Sequence, residues 1–437
     1  MISKRAGLAL STLVFVAAPA LAQAPRVHAL VGARVVVAPG RTLPRATVVL
    51  RDGVIVAVGT KIDVPPEARV WDLTGKTIYP GLIDLWVPAG GVHAPAQPGP
   101  ARRGRGGDDT ETEPNVQAAR DVLDQGLDAE RTKAMRRAGF TTALVVPSGG
   151  IFRGRGAVVD LGDDPKAAVV RPDAVQAVSV KSQGFGRGYP SSLMGAVALV
   201  RQTLLDARWQ RDALAAYAAD PAQARPPYDR ELAALEPALE GKQPVVFETD
   251  DVLAELRDAK IAEELGLRAW LVGNGREYER LTELAAHRLP LVLPLDFPDR
   301  PKLADEGDDL SVSLEDLRAW DLAPSNPARL DEAKLPFAIT AFRQKAPLDL
   351  WKRLKAAIDR GFPAERALAA LTVVPAELLG LSGRAGTIES GKLANLVVVD
   401  GDLLVEVPRV ETVWVDGDPY PVEPDGAAGG RKMEGQR

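Results

Sequence analysis

The chain has 437 residues, more than one ordinary domain needs and about the size of a large barrel enzyme with an accessory module. A 46% hydrophobic and 26% charged composition provides a substantial core and excludes a mainly disordered or fibrous protein. A net charge of −5 leaves no basic footprint for nucleic acid, and the absence of cysteine excludes disulfides, thiolate zinc sites and cysteine nucleophiles.

Lys4 and Arg5 precede an apolar run over residues 6–18, and Ala20-Leu21-Ala22 has the small-X-small pattern that a signal peptidase cuts. Residues 1–22 therefore read as a signal peptide, and the remaining chain as secreted or periplasmic. The run falls short of the ~20 apolar residues that span a bilayer, and no later stretch is long enough, so no membrane span is expected in the mature chain. Short β-type runs follow at 31–37, 47–50, 54–58 and 70–73. Asp52-Gly53 between two of them is a hairpin signal, because the turn needs positive φ values that Asp and Gly tolerate. The rhythm then changes. Apolar runs at 78–86, 140–146, 174–180, 244–248, 267–272, 289–295 and 336–340 alternate with helical periodicity at 193–209, 251–265, 277–287 and 348–360, the pattern of parallel βα units. These are seven strands where a closed barrel needs eight, and the missing one belongs between residues 150 and 230. Runs at 395–399 and 410–415 return to the β style, with Asp400-Gly401 and Asp416-Gly417 as turns after each. Residues 95–115, rich in Gly, Pro, Arg and acidic side chains, read as a flexible loop, either solvated or a lid over the barrel; residues 421–437 read as a disordered tail.

The segment Gly75-Lys76-Thr77-Ile78-Tyr79-Pro80-Gly81-Leu82-Ile83-Asp84 resembles the entry to the first barrel strand of the amidohydrolase superfamily. Two stretches near the end, from Leu371 to Leu381 and from Gly386 to Val399, resemble the close of the same fold, and Ala138-Gly139-Phe140-Thr141-Thr142 is similar to its second strand. The nearest resemblance is to imidazolonepropionase-like amidohydrolases. It implies an α/β fold: a (β/α)8 TIM-like barrel over residues 77–384 and a small β-sandwich built from both chain ends, residues 23–76 and 385–420. It also implies one or two divalent ions that activate water and polarise an amide or ester carbonyl. The ligands implied are a His-X-His pair after the first strand, a histidine after each of the fifth and sixth, an aspartate after the eighth and, in binuclear members, a carboxylated lysine. In this chain the pair falls on Trp86 and Pro88, and the fifth-strand histidine on Phe247 or Glu248. The sixth-strand histidine falls near Gly273-Asn274, and the aspartate within Thr340, Ala341 and Phe342. No family ligand is retained, and Glu248 is the one arguable substitute.

The three histidines do not replace these ligands: His28 lies by the first β run, His93 in the loop after the first barrel strand, and His287 at a helix end toward the barrel's N-terminal face. Asp84, Glu248 and Asp296 lie at or near strand ends, where oxygen ligands alone suit a hard cation such as Mg²⁺ or Ca²⁺. Ser148 has no histidine tied to it for a catalytic triad. The glycines of Gln183-Gly184-Phe185-Gly186-Arg187-Gly188-Tyr189-Pro190 lack the spacing of a phosphate loop, while Arg187 and Arg343 are candidates to meet an anion.

Trp86, Glu248 and Arg343 are thus the pocket candidates, with Trp86, Phe247 and Phe342 placed to fill the space a metal would take. The expectation is an exported amidohydrolase-family protein without a metal site or cofactor, serving as a non-catalytic binding or partner subunit. Its partner would be an active amidohydrolase relative or a second copy of itself, and its ligand a small molecule. The alternatives are a hydrolase of amide or cyclic-amide C–N bonds that uses unusual ligands and a divalent metal such as zinc, or a metal-independent enzyme of another class.

Overall fold

A computed structural model describes residues 26–89, 115–124, 127–163, 168–182, 189–301, 312–404 and 408–422. The leader ending at Ala22, His93, Arg187, nearly all of the 95–115 loop and the tail beyond Val422 lie outside the described residues. Five strands open the chain: β1 (Val27–Ala38), β2 (Arg41–Arg51), β3 (Val54–Gly59), β4 (Arg69–Asp72) and β5 (Lys76–Pro80). Asp52 (φ 47°) and Gly53 (φ 81°) make the turn between β2 and β3, both in the left-handed region as the sequence requires.

Eight further strands form the barrel: β6 (Leu82–Pro88), β7 (Phe140–Val146), β8 (Phe152–Asp160), β9 (Val169–Val178), β10 (Val245–Glu248), β11 (Ala269–Val272), β12 (Leu291–Pro294) and β13 (Phe337–Thr340). They neighbour one another in chain order. The apolar run 78–86 is not one strand: its start belongs to β5 and its end to β6, and the chain changes sheets at Gly81. A Cβ on Gly81 would lie 2.1 Å from Thr141 Oγ1, so glycine is what lets the two strands pass so close to β7. The eighth strand sought between residues 150 and 230 is β8. It runs antiparallel to both β7 and β9, while among the described residues every other ladder of the barrel is parallel. Reversal places the start of β8, Phe152 opposite Val178, at the end of the barrel where the other strands finish.

Helices cover the outside, among them Ala129–Arg137, Leu193–Ala219, Val252–Glu264, Leu281–His287, Leu314–Leu322 and Asp349–Asp359. Several begin with a side-chain cap: Asp128 accepts from Arg131 N (2.7 Å), Asp251 from Ala254 N (2.8 Å) and Ser313 from Asp316 N (3.0 Å). None among the described residues is long and apolar enough to cross a membrane. Alternation along the strands sends Ala143, Val145, Phe247, Leu271, Leu293 and Ile339 into the layer under the helices, and Leu144, Val146, Val246, Val272, Val292 and Ala338 into a second core with Trp86 and Trp270. Phe247 thus packs against the helices and does not fill the barrel mouth.

The first and last barrel strands share no ladder among the described residues. Buried Asp84 bridges them instead: Oδ1 accepts from Trp86 N (2.9 Å) and Thr340 Oγ1 (2.5 Å), and Oδ2 from Ala341 N (2.9 Å). Burial pushes the Asp84 carboxyl above the usual carboxylate range in spite of these donors.

The chain ends in β14 (Leu396–Asp400), β15 (Arg409–Val415) and β16 (Asp418–Pro421). β14 pairs antiparallel with β5, so the two chain ends make one sheet in the order β16-β15-β14-β5-β1-β2-β3, with β4 beside β1. The small β unit expected from both chain ends is thus present, its strands joined in one hydrogen-bonded sheet with its own core of Leu30, Val35, Val48, Ile78, Val398 and Trp414 among others. Asp416-Gly417 is a tight turn, at φ 50° and 79°. Asp400 by contrast closes β14, and the next strand starts only at Arg409. Asn395 fastens this sheet to the barrel. Its Nδ2 donates to Asp160 Oδ1 (2.8 Å) and Thr142 Oγ1 (3.2 Å), its Oδ1 accepts from Asp416 N (2.8 Å), and its carbonyl accepts from Gly81 N (2.8 Å).

Candidate functional site

Ligand sites of barrels lie where the parallel strands finish, and here that end is built around Glu248, the last residue of β10. Phe247 points outward, so alternation turns Glu248 inward, where it is 6% exposed. Four hydrogen bonds reach its carboxylate. Oε2 accepts from Trp86 Nε1 (3.0 Å) and Arg153 Nη1 (2.7 Å); Oε1 accepts from Arg153 Nη2 (3.1 Å) and Lys181 Nζ (3.1 Å). The arginine fork is bidentate, the geometry that gives the strongest charge-assisted pairs. Burial alone would push the Glu248 carboxyl above the usual carboxylate range, but Arg153 and then Lys181 outweigh it and hold the carboxyl at about 2.

The charges continue outward in alternation. Lys181 also pairs with Asp250 (2.8 Å), and Asp250 with Arg343 (3.3 Å). Arg343, on the turn after β13, has φ 67°, unusual for a residue with a side chain, and its guanidinium is fixed by a bond to the Thr249 carbonyl (2.5 Å). Two cavities open on this network. The larger, about 660 Å³, is lined by Asp250, Asn274, Arg276, Asp296 and Arg343 among others. The smaller, about 380 Å³, is lined by Lys181, Glu248, Asp250 and Arg257 with the exposed Leu193 at its edge. Trp86 lines neither; it is wholly buried. Asn274 Nδ2, in the wall of the larger cavity, is buried without a hydrogen-bond partner.

Residues 330–426 match the model of the amidohydrolase family. No curated protein matches the sequence. Among solved structures, an amidohydrolase from Thermotoga maritima MSB8 is similar over 90% of this chain and 100% of its own, with a TM-score of 0.74 and 22% identity. The chain has the amidohydrolase-superfamily fold. A putative prolidase from Bifidobacterium longum is similar over 92% of this chain and 97% of its own (TM-score 0.53, 15% identity). So is a Xaa-Pro dipeptidase with bound methionine in its active site, over 90% of this chain and 100% of its own (TM-score 0.53, 16% identity).

On this amidohydrolase fold the positions implied by the family resemblance take up other work. Trp86 donates to Glu248, and the Thr340 hydroxyl closes the barrel through Asp84. Phe342 is half-buried, its ring 5.4 Å from the Arg343 guanidinium carbon. The carboxylate-only cation site of Asp84, Glu248 and Asp296 is not assembled: Asp84 sits in the seam, Glu248 in its ion pairs, and Asp296 is exposed. Among the described residues no three His, Asp or Glu side chains converge as metal ligands would. His28 lies in the terminal sheet, accepting from Trp71 Nε1 (3.1 Å) with its ring 5.1 Å from that of Trp414. His287 meets Glu263 (2.6 Å) on the neighbouring helix, and Ser148 offers its carbonyl to Arg120 (2.9 Å). Arg153 and Lys181 are site residues that sequence reasoning passes over. The visible signal is a lysine one residue beyond the apolar run 174–180, and arginines that alternate with glycines after Phe152.

Proposed function

We propose that this is an exported amidohydrolase-fold protein that binds and does not hydrolyse, with the Arg153–Glu248–Lys181 ion pairs in the space where relatives would hold a metal. The observation that carries this reading is the complete occupation of Glu248, the candidate ligand that faces the barrel interior among the described residues, by four N–H donors from two cations and an indole. A divalent ion needs several converging lone pairs. Trp86 presents an N–H, Pro88 presents no side-chain donor atom, and the Thr340 hydroxyl spends its hydrogen on Asp84. Among the described residues this set does not fit a metal, and two side-chain cations already supply the positive charge that Glu248 needs.

Binding is then the work left to the larger cavity, whose wall mixes Arg276 and Arg343 with Asp250, Asp296 and the unpartnered Asn274 Nδ2, a lining for a polar small molecule. The protein acts alone in this way, as an oligomer with itself, or as the partner subunit of an active relative. The deciding experiment expresses the full chain with its leader, confirms by intact mass that processing ends at Ala22, and measures metal content together with hydrolysis of a panel of amides, cyclic amides and Xaa-Pro dipeptides. Far less than one zinc, iron or manganese per chain and no hydrolysis are expected. Near-stoichiometric metal, with hydrolysis that a chelator abolishes, would overturn the proposal in favour of an active C–N hydrolase.

A further inference from the structure

Behind the wall of the larger cavity lies an acidic pair that the proposed binding role does not use. Glu255, on the helix Val252–Glu264 after β10, and Glu277, on the turn after β11, are both 0% exposed. Their carboxyls come together beside Gly273: a Cβ built there would lie 2.1 Å from Glu277 Oε1 and 3.6 Å from Glu255 Oε1. Glu277 is fully served. Its Oε1 accepts from Asn274 N (2.8 Å) and Gly275 N (3.0 Å), and its Oε2 from Asn326 Nδ2 (2.5 Å). Glu255 is poorly served: neither of its oxygens makes a well-formed hydrogen bond, and the Asn274 N–H near it already donates to Glu277. An ionised carboxylate buried without donors beside another carboxylate is doubly disfavoured, by lost hydration and by repulsion. A proton removes both penalties, because a protonated Glu255 becomes a donor whose natural acceptor is its neighbour.

We infer that Glu255 holds a proton and donates it to the Glu277 carboxylate, and that this proton locks the 273–277 turn that forms one wall of the cavity. Burial first and the charge of Glu277 second push the Glu255 carboxyl well above the ordinary glutamate range. The surrounding charges do not replace the proton. Arg343, the cation whose field reaches Glu255, is committed to Thr249 and Asp250. Facing elements hold their charges in other pairs: Arg276 with Glu279, Arg280 with Glu283, His287 with Glu263 and Arg201 with Glu264. On the same helix Asp251 caps Ala254, and Asp258, which burial pushes up to about 6, is bound by Arg257. The turn depends on Glu277 directly, and the Asn274 side chain it positions lines the cavity, so loss of the proton drives Glu255 and Glu277 apart and loosens that wall. This inference holds whether the barrel binds or hydrolyses.

The sign follows from linkage. Between the ordinary glutamate value and the raised folded value, the folded chain holds a proton that the unfolded chain has lost, so stability is fully present below that window and falls as pH rises through it. The test compares wild type with Glu255→Gln, which keeps the shape and donates to Glu277 without titrating. Urea unfolding across neutral pH should show a wild-type unfolding constant rising faster with pH than that of the variant, by up to about tenfold per pH unit. Asp258 titrates equally in both and cancels. Hydrogen exchange at Asn274 and Gly275 should quicken with pH in wild type beyond the intrinsic rate, and not in the variant. A protonated-carboxyl infrared band at neutral pH should be present in wild type and lost in Glu255→Gln. Should that variant fail to fold, Glu277→Gln serves: removing the neighbouring charge should move the loss of the same band to lower pH. Equal pH slopes in wild type and Glu255→Gln would overturn the inference. So would stabilisation of wild type alone by added Ca²⁺ or Mg²⁺, which would mean that a cation and not a proton sits between the carboxyls.

Discussion

The indole of Trp86 contributes to the barrel twice. Its rings fill the inner core in one cluster with Leu144, Val146 and Trp270, at 0% exposure, and its Nε1–H gives Glu248 one of its four hydrogen bonds. Trp86→Ala removes a large buried side chain from a close-packed interior that collapses only in part, and should cost about 3–5 kcal/mol. Trp86→Phe keeps most of the apolar area and loses the hydrogen bond to a charged acceptor, a cost of about 1.5–3 kcal/mol. Denaturant melts of the two variants separate packing from hydrogen bonding. An alanine effect below about 1 kcal/mol, the range of ordinary surface changes, would contradict the filled barrel and make Trp86 a platform for a ligand. What Trp86 and Pro88 cannot do, bind a metal, is legible in the residue types alone. What occupies the space is not, because the Arg153 and Lys181 partners of Glu248 lie 95 and 67 residues away, and a pair at that separation leaves no local pattern.

Among the strands, those buried on both faces announce themselves. All seven residues of β7 are buried, and the four residues of each of β10, β11, β12 and β13 likewise, so the sequence shows continuous apolar runs. β8 is nearly as buried, yet its first half reads Phe152-Arg153-Gly154-Arg155-Gly156 and escapes the same test. Arg153 is inside for its pairing with Glu248 and not for hydrophobicity, and half-buried Arg155 pairs with Asp173 (2.9 Å), partners that only the folded chain supplies. The division of residues 78–86 between two sheets is equally hidden, since both halves are apolar and the joint is a single glycine. The seam between β6 and β13 rests on one carboxyl, and this allows a prediction for the element. Thr340→Val keeps the shape of the side chain but takes a donor from Asp84 and an acceptor from Phe342 N (3.0 Å). Buried groups left unpaired cost about 1–3 kcal/mol. Thr340→Val should therefore lower stability by about that amount, with faster hydrogen exchange at Trp86 and Ala341, whose amides bond to Asp84. Unchanged exchange at both amides would show that packing alone holds the barrel closed.

At the scale of the whole molecule, the two chain ends are one structural unit although more than 300 residues separate β5 from β14. β14 is an interior strand of the terminal sheet, with β5 on one side and β15 on the other. A chain stopped before Gly386 would lose β14, β15 and β16 together, leaving β5 with an unpaired edge and uncovering Ile78, Val35 and Leu30, whose core they share with Leu396, Val398 and Trp414. The loss reaches the barrel as well. Asp160, at the end of β8, is buried, and burial pushes its carboxyl up to about 6 even with donors from Thr142 and Asn395. Without Asn395 it keeps one donor of the two, and Gly81 N at the joint between the sheets loses its acceptor. An apolar sheet face beside an unpaired edge is a recognised route to aggregation, so the truncated chain should collect in the insoluble fraction while the full chain stays soluble. Fractionation followed by a thermal melt checks this. A soluble truncated chain melting with the full chain would show that the barrel stands without the terminal sheet, and that the Asn395 bonds follow from the folded arrangement without helping to create it.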